Sequence, residues 1–128
     1  AYGVVSVAID TVTHEKMALK QCTLGGGNAR KKKSGQHALL SEIAMLRVLR
    51  HPHVIEYKAS ALQNDSLSLL VELCGGGSLK QVLREGGALS EPQARVCMKQ
   101  LLSGVHYLHL LGLAHLDLKP QNILIRQG

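Results

Sequence analysis

Apolar and polar positions along the chain predict four strands, with one helix inserted between the second and the third. The first strand covers Val4 to Ile9, and the second begins at Met17 after a polar hairpin connection. The third and fourth strands, residues 54–61 and 67–73, flank a turn at residues 63–66 that is rich in turn-forming side chains. This first part of the chain therefore has the pattern of a small sheet.

The inserted helix is predicted at residues 36–50, where apolar side chains recur at intervals of three and four. The pair His51-Pro52 is expected to end it, because the residue before proline disfavours helical backbone. A run of basic residues precedes it. The predicted apolar face consists of Leu39, Ile43, Leu46 and Leu49, with Met45 and Val48 as the alternative positions beside it.

The second half of the chain is predicted to be mainly helical. Three glycines at 75–77 break the chain, and Ser78 is expected to cap a short helix over residues 79–84. A longer helix begins at Ser90, which has Gln93 at capping-box spacing and Pro92 in the first turn, and it ends at Gly112. The sequence thus predicts a strand-rich half and a helical half.

A polar segment, H-L-D-L-K-P-Q-N at residues 115–122, precedes an apolar run at 123–125. It is typical of a loop that leads into a buried strand, and Pro120 restricts its backbone. In such a loop Asp117 can accept a proton, Lys119 can neutralise an anion, and Asn122 can offer its amide oxygen to a metal ion. Taken alone, the segment is equally compatible with an ordinary polar surface loop.

Composition narrows the class of protein. The chain has 128 residues, is 45% hydrophobic and contains neither Phe nor Trp, so we expect one domain with an aliphatic core. It has no apolar run long enough to span a membrane. Its three cysteines have spacings that match no zinc or redox motif, which favours reduced thiols and hence the cytoplasm or the nucleus.

The net charge is +6, and part of the excess lies in R-K-K-K at residues 30–33. Residues 25–34 do not form a phosphate-binding P-loop, because Lys32 stands where that motif requires glycine. We interpret the segment as a mobile linker with a solvated basic run. Nucleic-acid binding is the alternative, but the chain has almost no aromatic side chains on which bases could stack.

Five segments, in this order, resemble the motifs of a eukaryotic-type protein kinase. They correspond to the end of the glycine-rich loop, the V-A-I-K strand, the glutamate of the inserted helix, the hinge and the catalytic loop. The Lys-Pro pair after the aspartate resembles serine/threonine kinases rather than tyrosine kinases. The segments are A-Y-G-V-V at 1–5, M-A-L-K at 17–20, S-E-I at 41–43 with L-R-H-P-H-V-I at 49–55, L-V-E-L-C-G-G-G-S-L at 70–79, and residues 115–122.

The resemblance implies an α+β, protein-kinase-like fold that is incomplete. Residues 1–73 are expected to form an N-lobe, a small antiparallel sheet with one helix, which lacks the start of the glycine-rich loop. Residues 74–128 are expected to form the hinge and the first part of a mainly helical C-lobe, ending before the D-F-G segment. It also implies ATP and Mg²⁺ as cofactors and phosphorylation of serine or threonine in protein substrates. The 128 residues alone are expected to be inactive, and the oligomeric state stays open.

Site residues follow from the same resemblance. Lys20 is expected to contact the α- and β-phosphates of the nucleotide, and Glu42 to hold Lys20. Asp117 is expected to orient or deprotonate the substrate hydroxyl, Lys119 to lie near the transferred phosphate, and Asn122 to bind Mg²⁺. The expected nucleotide contacts are Gly3 in the glycine-rich loop, Val5 and Ala18 above the adenine, Leu124 below it, Val71 at the back pocket, and the backbone of Glu72, Leu73 and Cys74.

Leu116 departs from the family pattern, since most kinases have arginine at this position. Leucine here resembles certain death-associated and myosin light-chain kinases and one branch of the unc-51-like kinases. In the common pattern the arginine receives an activation-loop phosphate, and leucine cannot, so we predict little dependence on such phosphorylation. His115 is expected to be packed in the core with a hydrogen-bonded ring nitrogen. A pseudokinase-like nucleotide-binding or scaffold module is the alternative function.

Overall fold

The computed structural model describes residues 4–23 and 29–127. Within them, β1 (Val4–Ile9), β2 (Lys16–Thr23), β3 (Tyr57–Gln63) and β4 (Ser66–Glu72) form one antiparallel sheet in the order β1-β2-β4-β3. Helix α1 (Ala29–Leu46) lies between β2 and β3 in the chain, and α2 (Leu79–Gly86) and α3 (Glu91–Leu110) follow the sheet. The predicted strands-then-helices organisation and the α+β class are confirmed.

Contacts divide the chain into two compact units. The first contains the sheet and α1, and the second contains α2, α3, the segment that follows them, and residues 51–54. The loop 51–54 therefore belongs to the second unit although it lies between α1 and β3 in sequence. After the sheet, the chain leaves the first unit between Leu73 and Cys74. No helix in the described part of the chain is long and apolar enough to cross a membrane.

The core of the first unit lies where α1 packs against the sheet. The predicted helical face is confirmed, since Leu39, Ile43 and Leu46 are buried, as is Leu49 just beyond the helix. The alternative positions Met45 and Val48 are exposed. Leu39 and Leu69 of β4 are each 1% exposed, so they form the best-shielded part of this core.

Both ends of α1 differ from the prediction. The helix begins at Ala29, so the basic run at 30–33 is helical and its interpretation as a mobile linker was wrong. Arg and Lys have helix propensities close to that of Ala, and nothing in the run itself breaks a helix. At the other end, the regular helix stops at Leu46. The chain then forms two tighter turns, in which Val48 N–H donates to Met45 O and Leu49 N–H donates to Leu46 O, both at 3.3 Å.

The hairpin of β3 and β4 turns at Asn64 and Asp65, which both have positive φ, 47° and 56°. Two left-handed residues give the type of turn that matches the twist of paired strands, and Asn and Asp tolerate this backbone best among residues with a side chain. Strand β3 begins at Tyr57, three residues later than predicted. The preceding residues are held elsewhere: Val54 N–H donates to His51 O at 3.2 Å, in the loop that belongs to the second unit.

Side-chain caps fix the starts of both helices in the second unit. Ser78 and Gln81 form a complete capping box at α2, and Ser90 and Gln93 form another at α3, as the sequence predicted for α3. The capping side chains satisfy backbone N–H groups that have no partner inside the helix. The helix starts could therefore be read from local spacing alone.

The strand predicted at residues 123–125 was wrong. Leu124 forms only an isolated bridge with Ser78, supported by bonds from Leu79 N–H to Ile123 O at 2.7 Å and from Ile125 N–H to Gly77 O at 2.8 Å. The partner segment is the turn that leads into α2, so pairing ends after this bridge. An apolar segment forms a strand only where a second strand lies beside it to pair with. Among the described residues no strand lies beside residues 123–125.

Candidate functional site

The first unit brings together a lysine of the sheet and a glutamate of α1. Lys20 Nζ lies 2.9 Å from Glu42 Oε2 and 3.1 Å from Oε1, so the ammonium group donates to both carboxylate oxygens. The side chains are 27% and 37% exposed, which shields the pair partly while leaving it accessible. The β2 register sets this geometry, because Lys20 lies opposite the buried Leu69 and so points to the face that α1 covers.

Further predicted residues share the face of the sheet that carries Lys20. Val5 is paired with Lys20 across β1 and β2, and Ala18 is paired with Val71 across β2 and β4. Directly opposed residues project from the same face, as do residues two apart on one strand. Val5 is 65% exposed and is therefore not a core residue of the described chain. The face thus has a small apolar surface beside the ammonium group.

The predicted hinge residues lie where the first unit ends. Glu72 is the last residue of β4; its N–H donates to Glu56 O at 2.9 Å, and its Oε1 accepts from Glu56 N–H at 2.9 Å. The Glu72 N–H is therefore occupied and cannot serve an adenine edge. Cys74 O accepts from Gly77 N–H at 3.2 Å, which closes the turn after the hinge. The role of Glu56 in fixing this segment was not foreseen, and no local pattern around it signals it.

The second unit brings together three of the predicted side chains. Lys119 Nζ lies 3.2 Å from Asp117 Oδ1, and the Asn122 side-chain N–H donates to Asp117 O at 2.9 Å and to Asp117 Oδ2 at 3.0 Å. Pro120 begins a 3₁₀ turn, Pro120–Asn122, closed by Asn122 N–H donating to Lys119 O. This turn folds Asn122 back onto Asp117, so residues five apart in sequence contact each other.

Leu116 has a left-handed backbone, with φ of 65°, and its side chain is 92% exposed. The reversal lets Asp117 N–H donate to His115 Nδ1 at 3.2 Å. The predicted hydrogen bond to the His115 ring is thus present, but its predicted burial was wrong, because His115 is exposed. The ring accepts a backbone bond beside Asp117 instead of filling a core.

The electrostatics of this cluster favour an ionised aspartate. The hydrogen bond from Lys119 is the main cause that holds the pKa of Asp117 below its ordinary value of 3.8. Desolvation opposes it, and the Asn122 hydrogen bond and the charges of Lys119 and His115 lower the pKa further. At neutral pH the carboxylate is charged and weakly basic. It is better suited to accept a hydrogen bond from a hydroxyl group, and so to orient it, than to remove its proton in advance.

Two groups of predicted residues are therefore assembled, Lys20 with Glu42 and Asp117 with Lys119 and Asn122, each within its own unit. Leu124 is 45% exposed at its bridge with Ser78. Gly3 lies outside the described residues. In the described ranges no group of three or more His, Cys, Asp and Glu side chains is arranged to hold a metal ion.

Comparison with known proteins gives a consistent family. The family model for the protein kinase domain matches residues 1–128. Mitogen-activated protein kinase kinase kinase 3 of Arabidopsis thaliana is 35% identical over 127 residues, which cover 98% of this chain and 20% of the relative. The serine/threonine-protein kinase ULK3 of Rattus norvegicus is 43% identical over 93 residues, which cover 73% of this chain and 20% of that protein. The chain thus spans about a fifth of the length of these relatives.

A solved structure is also similar to this chain. The crystal structure of Rad53 residues 1–466 in complex with AMP-PNP matches with a TM-score of 0.82 and 30% sequence identity, over 99% of this chain and 32% of that one. AMP-PNP is bound to Rad53 in that structure. The similarity covers both units described above.

Proposed function

Since the chain belongs to the protein kinase domain family, we propose that it contributes most of the nucleotide site and the catalytic loop of a serine/threonine protein kinase. The substrates are ATP and a serine or threonine hydroxyl in a protein. The observation that carries the proposal is the ion pair of Lys20 and Glu42, 2.9 Å between nitrogen and oxygen, because it joins two motif residues that are 22 positions apart. The three cysteines are free, and the proposed location is the cytoplasm or the nucleus, where thiols are kept reduced.

Lys20 serves best as a phosphate ligand. Phosphoryl transfer needs positioning and stabilisation of charge more than covalent chemistry by the protein. An ammonium group held by a carboxylate is fixed in place yet still has a third N–H to donate. Glu42 accordingly acts as a positioning residue, since it touches Lys20 and not the nucleotide.

The apolar face beside Lys20 suits a flat ring. Val5 and Ala18 lie on this face, and a methyl side chain at 18 leaves room for an adenine. Val71, opposite Ala18, is small and so leaves space behind the ring. The Glu72 carbonyl and the backbone of Leu73 and Cys74 are the proposed partners of the adenine edge. Gly3, by its place in the motif, and Leu124 are the other proposed nucleotide contacts.

The cluster at 115–122 suits transfer to a hydroxyl. The Asp117 carboxylate accepts a hydrogen bond from the substrate hydroxyl and orients its oxygen toward the phosphate. Lys119 neutralises charge that develops on the transferred group. The Asn122 bonds to Asp117 both use the amide nitrogen, and the amide oxygen is the type of ligand that Mg²⁺ prefers, so Asn122 is a suitable Mg²⁺ ligand. When bound, the ion supplies charge neutralisation at the phosphates.

The test is phosphoryl transfer by the full-length protein that contains this chain. With ATP, Mg²⁺ and a mixture of serine, threonine and tyrosine peptides, we expect transfer to serine and threonine. Lys20→Met and Asp117→Asn should each reduce the rate roughly a hundredfold or more. Lys58→Met is the matched control, because Lys58 is also a sheet lysine in an ion pair, 2.9 Å from Glu15, but belongs to no motif.

Three results would contradict this function. ATP binding without transfer would support the scaffold alternative instead. Equal loss of activity in Lys58→Met would show that Lys20 acts only through the stability of the sheet. Salt-sensitive binding of duplex DNA, with no transfer, would favour the nucleic-acid alternative.

Regulation is proposed to differ from the common pattern at Leu116. Its side chain has neither charge nor hydrogen-bonding groups, so it cannot receive an activation-loop phosphate. Phosphatase treatment of the full-length enzyme is therefore expected to leave most of the activity. A loss of most of the activity after treatment, reversed by rephosphorylation of the activation loop, would refute this.

A further inference from the structure

The end of β4, where the chain enters the hinge, is held by two hydrogen bonds between Glu56 and Glu72. The register of Tyr57 with Val71 places these glutamates opposite each other, and Glu72 N–H donates to Glu56 O at 2.9 Å. In a regular antiparallel pair of this type, Glu56 N–H would donate in return to the Glu72 carbonyl. It donates instead to the side chain, to Glu72 Oε1 at 2.9 Å. The Glu72 carboxylate therefore takes the place of its own carbonyl in the ladder.

This carboxylate lies away from the face of the sheet proposed to bind the nucleotide. Val71 is paired with Ala18 and shares that face with it. Successive side chains of a strand alternate between the two faces, so the Glu72 side chain projects from the other one. It can thus act on adenine only through the backbone at position 72. Because it accepts Glu56 N–H, that donor does not compete with a ligand for the Glu72 carbonyl.

We propose that Glu72 is a positioning residue for adenine recognition, whose side chain keeps the carbonyl of the same residue directed at the adenine amino group. The inference rests on the proposed function, which assigns this carbonyl to the adenine edge. Without the carboxylate, Glu56 N–H bonds to the carbonyl as in a regular ladder and draws it away from the base. Adenine presents an amino donor where guanine presents a carbonyl acceptor. The Glu72 side chain therefore contributes to a preference for ATP over GTP.

The experiment measures steady-state kinetics of the full-length protein that contains this chain, with ATP or GTP, Mg²⁺ and a serine peptide. Glu72→Met keeps the length of the side chain but has no oxygen that accepts the bond. We expect KM for ATP to rise about three- to tenfold with kcat within about twofold of the parent, because the lost interaction serves binding. KM for GTP should change by less than about twofold, so the preference for ATP falls. Glu72→Gln keeps an acceptor oxygen and should restore KM for ATP to within about twofold of the parent.

Gln21→Met provides the matched control. Gln21 Nε2 donates to Ser68 Oγ at 3.2 Å, which links β2 to β4. Gln21 is four residues from Met17, the partner of Glu72, so Gln21 and Glu72 project from the same face of the sheet. The variant loses a side-chain hydrogen bond of the same sheet but none at the hinge. Its KM for ATP should therefore stay within about twofold of the parent.

The outcomes separate this inference from the proposed function. A parent protein that neither binds nor uses ATP would refute both. A parent that uses ATP, with KM unchanged in Glu72→Met, would refute the positioning role alone, as would equal rises of KM for ATP and GTP, or no recovery in Glu72→Gln. An equal rise in Gln21→Met would show that general weakening of the sheet is the cause. Glu72→Asp keeps the charge but is one methylene too short for the bond, so it should also raise KM for ATP and it replaces Glu72→Met if that variant does not fold.

Discussion

Gly104 of α3 offers a sharp test of how the second unit is packed. It is buried, and a Cβ placed on it would lie 2.8 Å from His53 O and 3.4 Å from His53 C. Those atoms are backbone, and their loop is held in several ways. Arg126 Nη1 donates to Pro52 O at 2.6 Å, Ser103 Oγ lies 3.2 Å from His51 Nε2, and the His51 ring stacks on Tyr107 with centroids 5.0 Å apart.

Two opposing effects determine whether Gly104→Ala raises or lowers the free energy of unfolding. Alanine in the interior of a helix gains about 1 kcal/mol over glycine. Against this, the loop must move by roughly half an ångström to relieve the contact, and overpacking of this type costs about 1–3 kcal/mol. The shift also strains a hydrogen bond and a ring stack that each contribute about 1 kcal/mol. We therefore expect a net loss of about 1–2 kcal/mol in the free energy of unfolding.

The measurement is urea unfolding of the parent and of two variants. Gly35→Ala is the control, because Gly35 is also inside a helix but its Cβ would lie 3.8 Å from Cys22 Sγ, an ordinary contact, so this variant should gain up to about 1 kcal/mol. Opposite signs for the two variants support the packing argument. An equal gain in both would refute it, as would a Gly104→Ala cost that is unchanged when His51→Ala has already loosened the loop.

Two further predictions concern the core and the acid–base state of the site. Leu69→Ala should lower the unfolding free energy by about 2–5 kcal/mol in urea titrations, whereas Val48→Ala, at a position that is 72% exposed, should change it by less than about 0.5 kcal/mol. Lys119→Met should move the Asp117 carboxyl titration, followed by NMR, upward toward 3.8, because the hydrogen bond from Lys119 is the main cause of its lowered pKa. Since that pKa is depressed in the folded protein, the stabilisation it contributes is present above pH 3.8 and is lost as the pH falls through the folded value; an unmoved titration would contradict this cause.

The sequence predicted best what burial and capping impose on one element. The face of α1 with Leu39 and Ile43 was readable because a buried helical stripe must repeat at the helical period. The start of α3 was readable because Ser90 and Gln93 satisfy each other's backbone donors. In both cases the feature is determined by residues close together in the sequence, so the local sequence pattern is enough to predict it.

The predictions were wrong where contacts between segments far apart in the sequence determine the local structure. The late start of β3 reflects a loop that is bound to α3 through His51 and Ser103, which are 52 positions apart. The missing strand after Asn122 reflects the lack of a neighbouring strand in the described chain. For the candidate site, motif resemblance supplied the identities of Lys20 and Glu42, but their distance follows from how α1 packs on the sheet, which no spacing encodes.

Leu116 shows why a departure from the family motif need not disturb the site. Left-handed backbone at a residue with a side chain costs about 1–2 kcal/mol, and leucine obtains no compensating contact from a side chain that is 92% exposed. The conformation must therefore be held by its neighbours, and the bonds of Asp117 with His115, Lys119 and Asn122 are the ones that do so. None of these bonds uses the side chain at 116. The side chain at this position can consequently change while the carboxylate beside it stays in place.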